Sequence, residues 1–241
     1  MSTDHRYRKV AAMMAFQRAR SEENREIRRQ AILDTATQML GQMSVNDISL
    51  NELSRRSLLA KSAILRYFES REAVLLELLD RAWTRWTAEL ADQLPTGDPA
   101  EKPVRQRCDE LASTLTRSLG LRPELCDLLS AQAGVLEHNV SPEVARRYKK
   151  AAVTNVAALA DLTHAQLPEL GETTGTLCGQ IIMAAGAVWV SCLPSASMLA
   201  AYEIDPELAK FRLPFESTLH TMLTTLITGS LALAPSEGDV D

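Results

Sequence analysis

Apolar residues recur three or four positions apart along nearly the whole chain, and no stretch sustains strict alternation. The pattern therefore predicts helices throughout and an all-α fold. The first predicted helix runs from about Glu23 to Leu40, with Ile32, Leu33, Ala36 and Leu40 on its inward stripe and Gly41 as a stop. A long helix from Arg71 to about Leu94 carries Leu75, Leu79, Trp83, Trp86, Leu90 and Leu94 at helical spacing. Pro95, Gly97 and Pro99 then break the chain. Further helices are predicted over 103–119, 123–137, 141–166 and 173–192. After a loop with room for a short helical turn, Pro214 opens a last helix to about Leu233.

The most informative stretch lies between the first two long helices, from Ser49 to Glu72. Ser49 and Glu52 have capping-box spacing, which starts a short helix. Leu58, Leu59 and Ala60 form a turn, and Lys61 to Tyr67 is a second short helix of about two turns. Ser70 is suited to cap the long helix that follows, with Glu72 in its first turn where the helix dipole favours negative charge. Two short helices joined by a tight turn predict a helix-turn-helix, whose second helix enters the DNA major groove. On that second helix Lys61, Ser62 and Arg66 carry donors, while Ala60 and Ala63 permit close approach. Ile64 and Phe68 turn to the core, and Tyr67 and Arg71 flank the end where a phosphate backbone would pass. A solvated basic face on an ordinary helical domain is the competing reading.

Charge sharpens this picture. The 241 residues carry a net −5, which argues against nucleic acid if evenly spread. It is not: residues 1–73 hold 13 Lys/Arg against 9 Asp/Glu, and residues 74–241 hold 13 against 22. A basic first third on an acidic remainder is the asymmetry of a chain with one end facing a polyanion. The segment before the first helix adds Arg6, Arg8, Lys9, Arg18 and Arg20. As a basic arm it would reach along the backbone or into the minor groove; a merely solubilising arm is the alternative. Deleting residues 1–20 is expected to weaken DNA binding and flatten its salt dependence, read by titration at several salt concentrations; an unchanged slope would rule the contact out.

The remaining chemistry is sparse. Cys108, Cys126, Cys178 and Cys192 form no CxxC pair and have no histidine at metal-ligand spacing, so reduced, mostly buried thiols are expected. No secretory signal is evident at the start, and the longest mostly apolar run, from Ile181 to Leu193, is too short to span a bilayer. A cytoplasmic location is expected. No metal site, cofactor motif or catalytic set emerges from the spacing, so no catalytic residue, metal or cofactor is assigned. The helices at 173–192 and 214–233 are apolar nearly all round and rich in small residues. Two-fold pairing into a four-helix bundle would bury them, although two core helices of a monomer fit the same pattern.

The run from Ile32 to Leu79 resembles the DNA-binding domain of the tetracycline-repressor-like (TetR) family of bacterial regulators. The matching stretches are AILDTATQML, ISLNELSRRS and LAKSAILRYFESREAVLLELL. The resemblance implies an N-terminal three-helix DNA-binding domain and a C-terminal helical ligand-binding and dimerisation domain. The expected organisation is a basic arm at 1–24, a helix-turn-helix domain at 25–72, the larger domain at 73–234 and an acidic tail at 235–241. Carried over by position, Ser49 donates to a phosphate, Lys61, Ser62 and Ala63 face base edges, and Tyr67 contacts the backbone. Arg71 stands where the family usually has a phosphate-binding lysine. Two positions depart from the pattern: Leu58 occupies the turn where a glycine is usual, and Leu65 replaces the tyrosine usual before Arg66, shifting affinity towards Arg66 and Tyr67.

The implied function is a homodimeric repressor, paired through the last two long helices and released from a partly palindromic operator by a small-molecule effector. Trp86, Gln132, Asn155 and Trp189 are polar or amphipathic groups in apolar helical stretches, and are the candidate cavity residues. The alternative is a helical adaptor or small-molecule-binding protein that uses the cavity without reading DNA; an enzyme is the weakest reading.

Overall fold

The structure is a computed structural model; it describes the backbone of residues 3–234 and the side chains of residues 22–234. The acidic tail expected at 235–241 and the side chains of the basic arm lie outside the described residues. Eleven α-helices follow one another among the described residues, and no strand interrupts them. The chain divides into two compact units, residues 1–74 and 75–241.

The first unit holds α1 (Thr3–Leu40), α2 (Leu50–Ser57), α3 (Lys61–Ile64) and the start of α4 (Arg71–Ala91). The first helix begins about twenty residues earlier than the apolar pattern indicates. Between Thr3 and Leu40 there is no glycine or proline, and alanine, arginine, glutamate and methionine dominate. Local propensity therefore carries the helix beyond the stretch in which an apolar face is needed. The inward stripe is Ile32, Leu33, Ala36 and Met39, all essentially inaccessible to solvent, rather than ending on Leu40. Val45, Ile48, Leu53, Ile64 and Phe68 complete this small core. The Arg29 guanidinium lies 4.9 Å from the centre of the Phe68 ring, tying α1 to the end of the recognition segment.

The second unit continues α4 and adds α5 (Val104–Gly120), α6 (Pro123–Ala131), α7 (Pro142–Gln166), α8 (Thr174–Cys192), α9 (Ala196–Ile204), α10 (Pro206–Ala209) and α11 (Phe215–Leu233). Leu75, Leu79, Trp83, Trp86 and Leu90 of α4 are buried as their spacing indicates. Trp86 gives its indole N–H to Ser118 Oγ at 3.0 Å. The helix expected over 123–137 is α only to Ala131 and then widens into a π-turn, Gln132–Leu136, in which Glu137 N donates to Gln132 O. The segment Pro168–Cys192 is long and apolar enough to cross a membrane, contrary to the length read from its most apolar run. Within it, α8 packs against α6, α7 and α11 and buries Leu177, Ile181 and Ala185 completely. At Gly186 α8 lies tight against α6: a Cβ there would sit 2.9 Å from the Leu129 carbonyl carbon and oxygen. By contrast α9 and α10 bury no residue.

Candidate functional site

Local polar contacts hold the start of α2, the turn that follows it and the start of α4. Ser49 caps α2 by accepting from Glu52 N at 3.1 Å, an arrangement worth about 1 kcal/mol. The reciprocal half of the capping box does not form, because both oxygens of the Glu52 carboxylate accept from Arg55 and Arg56. Those two guanidiniums, Arg55 first, hold the Glu52 carboxyl down at about 2. The pair's contribution to folding is therefore present above the unfolded carboxyl range and is lost as pH falls towards 2. In the turn, Ser54 Oγ donates to Leu59 O at 2.6 Å. At the far end Ser70 Oγ accepts from Ala73 N at 3.1 Å and starts α4.

Leu58 accommodates its turn in the left-handed conformation, φ 56° and ψ 26°. It is the one non-glycine residue among those described with positive φ, and its side chain is 91% exposed. A side-chain-bearing residue in that conformation costs roughly 1–2 kcal/mol, part of which glycine recovers after its larger unfolded-state entropy is counted. Leu58→Gly is therefore expected to stabilise the first unit by about 0.5–1 kcal/mol, seen as a higher denaturant midpoint. A lower midpoint would mean that the exposed leucine contributes more than the strain removes.

The recognition segment is α-helical over Lys61–Ile64 only. Mixed three- and four-residue hydrogen bonds then carry the helical path to Phe68, with Arg66 N donating to Ala63 O and Phe68 N to Ile64 O. Ile64 and Phe68 are buried, Ala63 and Tyr67 half-buried, and Lys61, Ser62 and Arg66 exposed. The cations of this stretch differ sharply in their surroundings. Arg55 and Arg56 share the single carboxylate of Glu52, and Arg56 also donates to Gln42 Oε1. Arg71 donates to Ile48 O at 2.6 Å, to Asn46 O at 3.3 Å and to Glu72 at 3.1 Å, so its guanidinium locks the start of α4 to the loop before α2. Lys61 and Arg66 have neither an ion-pair nor a hydrogen-bond partner among the described residues. Among these cations, the side chains of Lys61 and Arg66 are thus the ones left unengaged, both exposed on the second helix.

The second unit contains a cavity of about 590 Å³ between α7 and α8, floored by the end of α6 and the π-turn. Val153, Val156, Ile182, Met183 and Val190 give it apolar walls, and Trp83, Gln132 and Lys149 line it as well. Of the four cavity residues expected from sequence, Gln132 lines it; Trp86, Asn155 and Trp189 are not among its walls. Trp86 is core, bonded to Ser118. Asn155 bridges α7 to α4, donating to Asp80 Oδ1 at 2.8 Å and accepting from Thr84 Oγ1 at 2.9 Å. Trp189 stacks edge-on against Phe215 with ring centres 5.2 Å apart. The cysteines Cys108, Cys126 and Cys178 are buried, and desolvation raises Cys126 to about 12 and Cys178 to about 11, so both stay protonated thiols.

Comparison with known proteins fits this division of the chain. Residues 32–78 match the model of the bacterial regulatory proteins of the tetR family, and residues 80–234 match that of the tetracyclin repressor-like C-terminal domain. The chain belongs to the TetR family of helix-turn-helix, DNA-binding transcriptional regulators. Similar solved structures include a TetR/AcrR-family regulator from Thermobifida fusca, 20% identical, covering 84% of this chain and 97% of its own, with a TM-score of 0.48. The fatty acid degradation regulator FadR from Bacillus halodurans is 13% identical over 88% of this chain and 99% of its own, at 0.47. The MbdR regulator from Azoarcus sp. CIB is 15% identical over 86% and 98%, at 0.44. A comparison with curated proteins finds no match.

Proposed function

We propose that this protein is a cytoplasmic, homodimeric repressor that holds a partly palindromic operator and releases it when a small molecule fills the cavity of the second unit. The observation that carries the DNA half is the pair Lys61 and Arg66, exposed with unengaged side chains on the recognition segment while Arg55, Arg56 and Arg71 are bonded within the protein. Phosphate contacts provide most of the affinity and all of its salt sensitivity; Lys61, Ser62 and Ala63 at base edges provide sequence choice. Ser49 keeps its hydroxyl proton available for a phosphate, because its oxygen is the acceptor in the cap. Tyr67 contacts the backbone. Arg71 contributes field and orders the loop before α2, rather than acting as a free phosphate clamp.

Pairing through α8 and α11 is supported chiefly by the outward face of α11, where Met222 is exposed and flanked by Thr221 and Thr225. The exposed Met183 of α8 lines the cavity, so on that helix pairing and ligand share one face. A two-fold dimer places one recognition helix in each of two grooves roughly 34–36 Å apart. The chain passes from the reading head to the cavity unit within α4, which makes α4 the lever. A ligand with higher affinity for the conformation in which the heads are displaced lowers DNA affinity, and DNA lowers ligand affinity by the same factor. The test is selection of genomic fragments by the purified protein, followed by sequencing. A short palindromic site is the expected outcome; sequence-blind recovery would reject the repressor reading.

A further inference from the structure

Between Lys61 and Phe68 four side chains are exposed, those of Lys61, Ser62, Leu65 and Arg66, and one of them has no polar group. Leu65 N donates to Lys61 O at 2.9 Å, so Leu65 stands one helical turn beyond Lys61 on the same face. At about 100° per residue its direction falls between those of Lys61 and Ser62, with Arg66 just beyond. Ile64 and Phe68 are buried and take up the inward face of the same segment. Leu65 is 46% exposed, so much of its apolar surface lies inside the patch whose other members carry donors.

A leucine can neither donate to a phosphate nor pair with the polar edge of a base. What the major groove offers an apolar side chain is the C5-methyl group of thymine; the other bases are marked there by donors and acceptors. Ala60 and Ala63 add no bulk that would hold this helix away from the groove. Packing Leu65 against a thymine methyl takes apolar surface of both from water, a gain that a base without the methyl does not return. Resting on the reading of this segment as the DNA reader, we infer that Leu65 is a specificity-determining residue that selects one thymine in each half-site through its methyl group. Lys61 and Ser62 then read hydrogen-bonding edges, and Leu65 reads the apolar mark within the same patch.

The test is a direct titration of the full chain on the operator recovered by genomic selection. Each thymine of the half-site is replaced in turn by deoxyuridine, in both half-sites together. The base pair and its polar edges stay, and only the methyl goes. One such replacement is expected to weaken binding by roughly tenfold, since a methyl contact is lost from each half-site. In Leu65→Ala, which shortens an exposed side chain outside the core, the same replacement is expected to leave affinity within about twofold. Leu58→Ala shortens the exposed leucine of the turn instead, and is expected to keep the difference seen with the unmodified protein. Deoxyuridine tolerated at every position by the unmodified protein overturns the assignment, whether or not Leu65→Ala folds. A loss that persists in Leu65→Ala also overturns it and gives the methyl contact to another side chain such as Ala63. Disappearance of the difference in Leu58→Ala as well would count against a role particular to Leu65. Recovery of no operator at all rejects the DNA-reading role on which the inference rests, and the inference with it.

Discussion

Replacing Lys61 and Arg66 together with alanine is expected to lower affinity for the selected operator by at least roughly 100-fold, with the fold unchanged. Each good side-chain contact to a base edge discriminates by about 1–3 kcal/mol, and a dimer loses every contact twice. Both side chains are exposed and make no bond inside the protein, so their removal leaves no buried group unpaired. The salt slope should fall as well, by about one for each phosphate contact that is lost. Arg55→Ala is the matched control. Its guanidinium is as exposed but is occupied by Glu52, so the loss of affinity should be small. Direct titration of a labelled duplex separates the two outcomes. A control loss about half that of the double variant on the logarithmic scale, one charge against two, would mean that general positive charge, and not the recognition segment, holds the DNA.

The second large effect is on stability. Gly186→Val places a Cβ 2.9 Å from the Leu129 carbonyl, an atom of the backbone that cannot swing aside as a side-chain tip would. The two helices must separate, and overpacking of this kind typically costs about 1–3 kcal/mol. Valine's modest helix advantage over glycine recovers only a few tenths of a kcal/mol. For the second unit this corresponds to a fall in thermal midpoint of roughly 2–10 °C, measurable by circular dichroism. Since Gly186 and Leu129 also line the cavity, ligand affinity should fall with it. An unaltered midpoint would show that α6 and α8 can move apart freely.

The long helices of the second unit were legible because they bury one face, and burial writes itself into spacing: Leu75 through Leu90 on α4 and the capped start of α7 at Ser141 both follow it. The helix-turn-helix was legible for a different reason, since Ser49 and Ser70 mark their helix starts by chemistry. What escaped were features with no local signature. The early start of α1 needs no apolar stripe and so leaves none. The π-turn at Gln132–Leu136 follows an ordinary helical sequence. The roles of Arg71 and Glu52 depend on which partner is near, and a position suited to phosphate turned out to hold the Ile48 carbonyl.

The account stands most directly on two copies of the chain reading one palindrome. Sedimentation of the protein on a labelled duplex carrying the selected site, beside a duplex carrying a single half-site, tests that. The account predicts two chains per full site and affinity for the half-site weaker by orders of magnitude, as expected when the second contact becomes intramolecular. One chain per duplex, with equal affinity for the full site and the half-site, would contradict it.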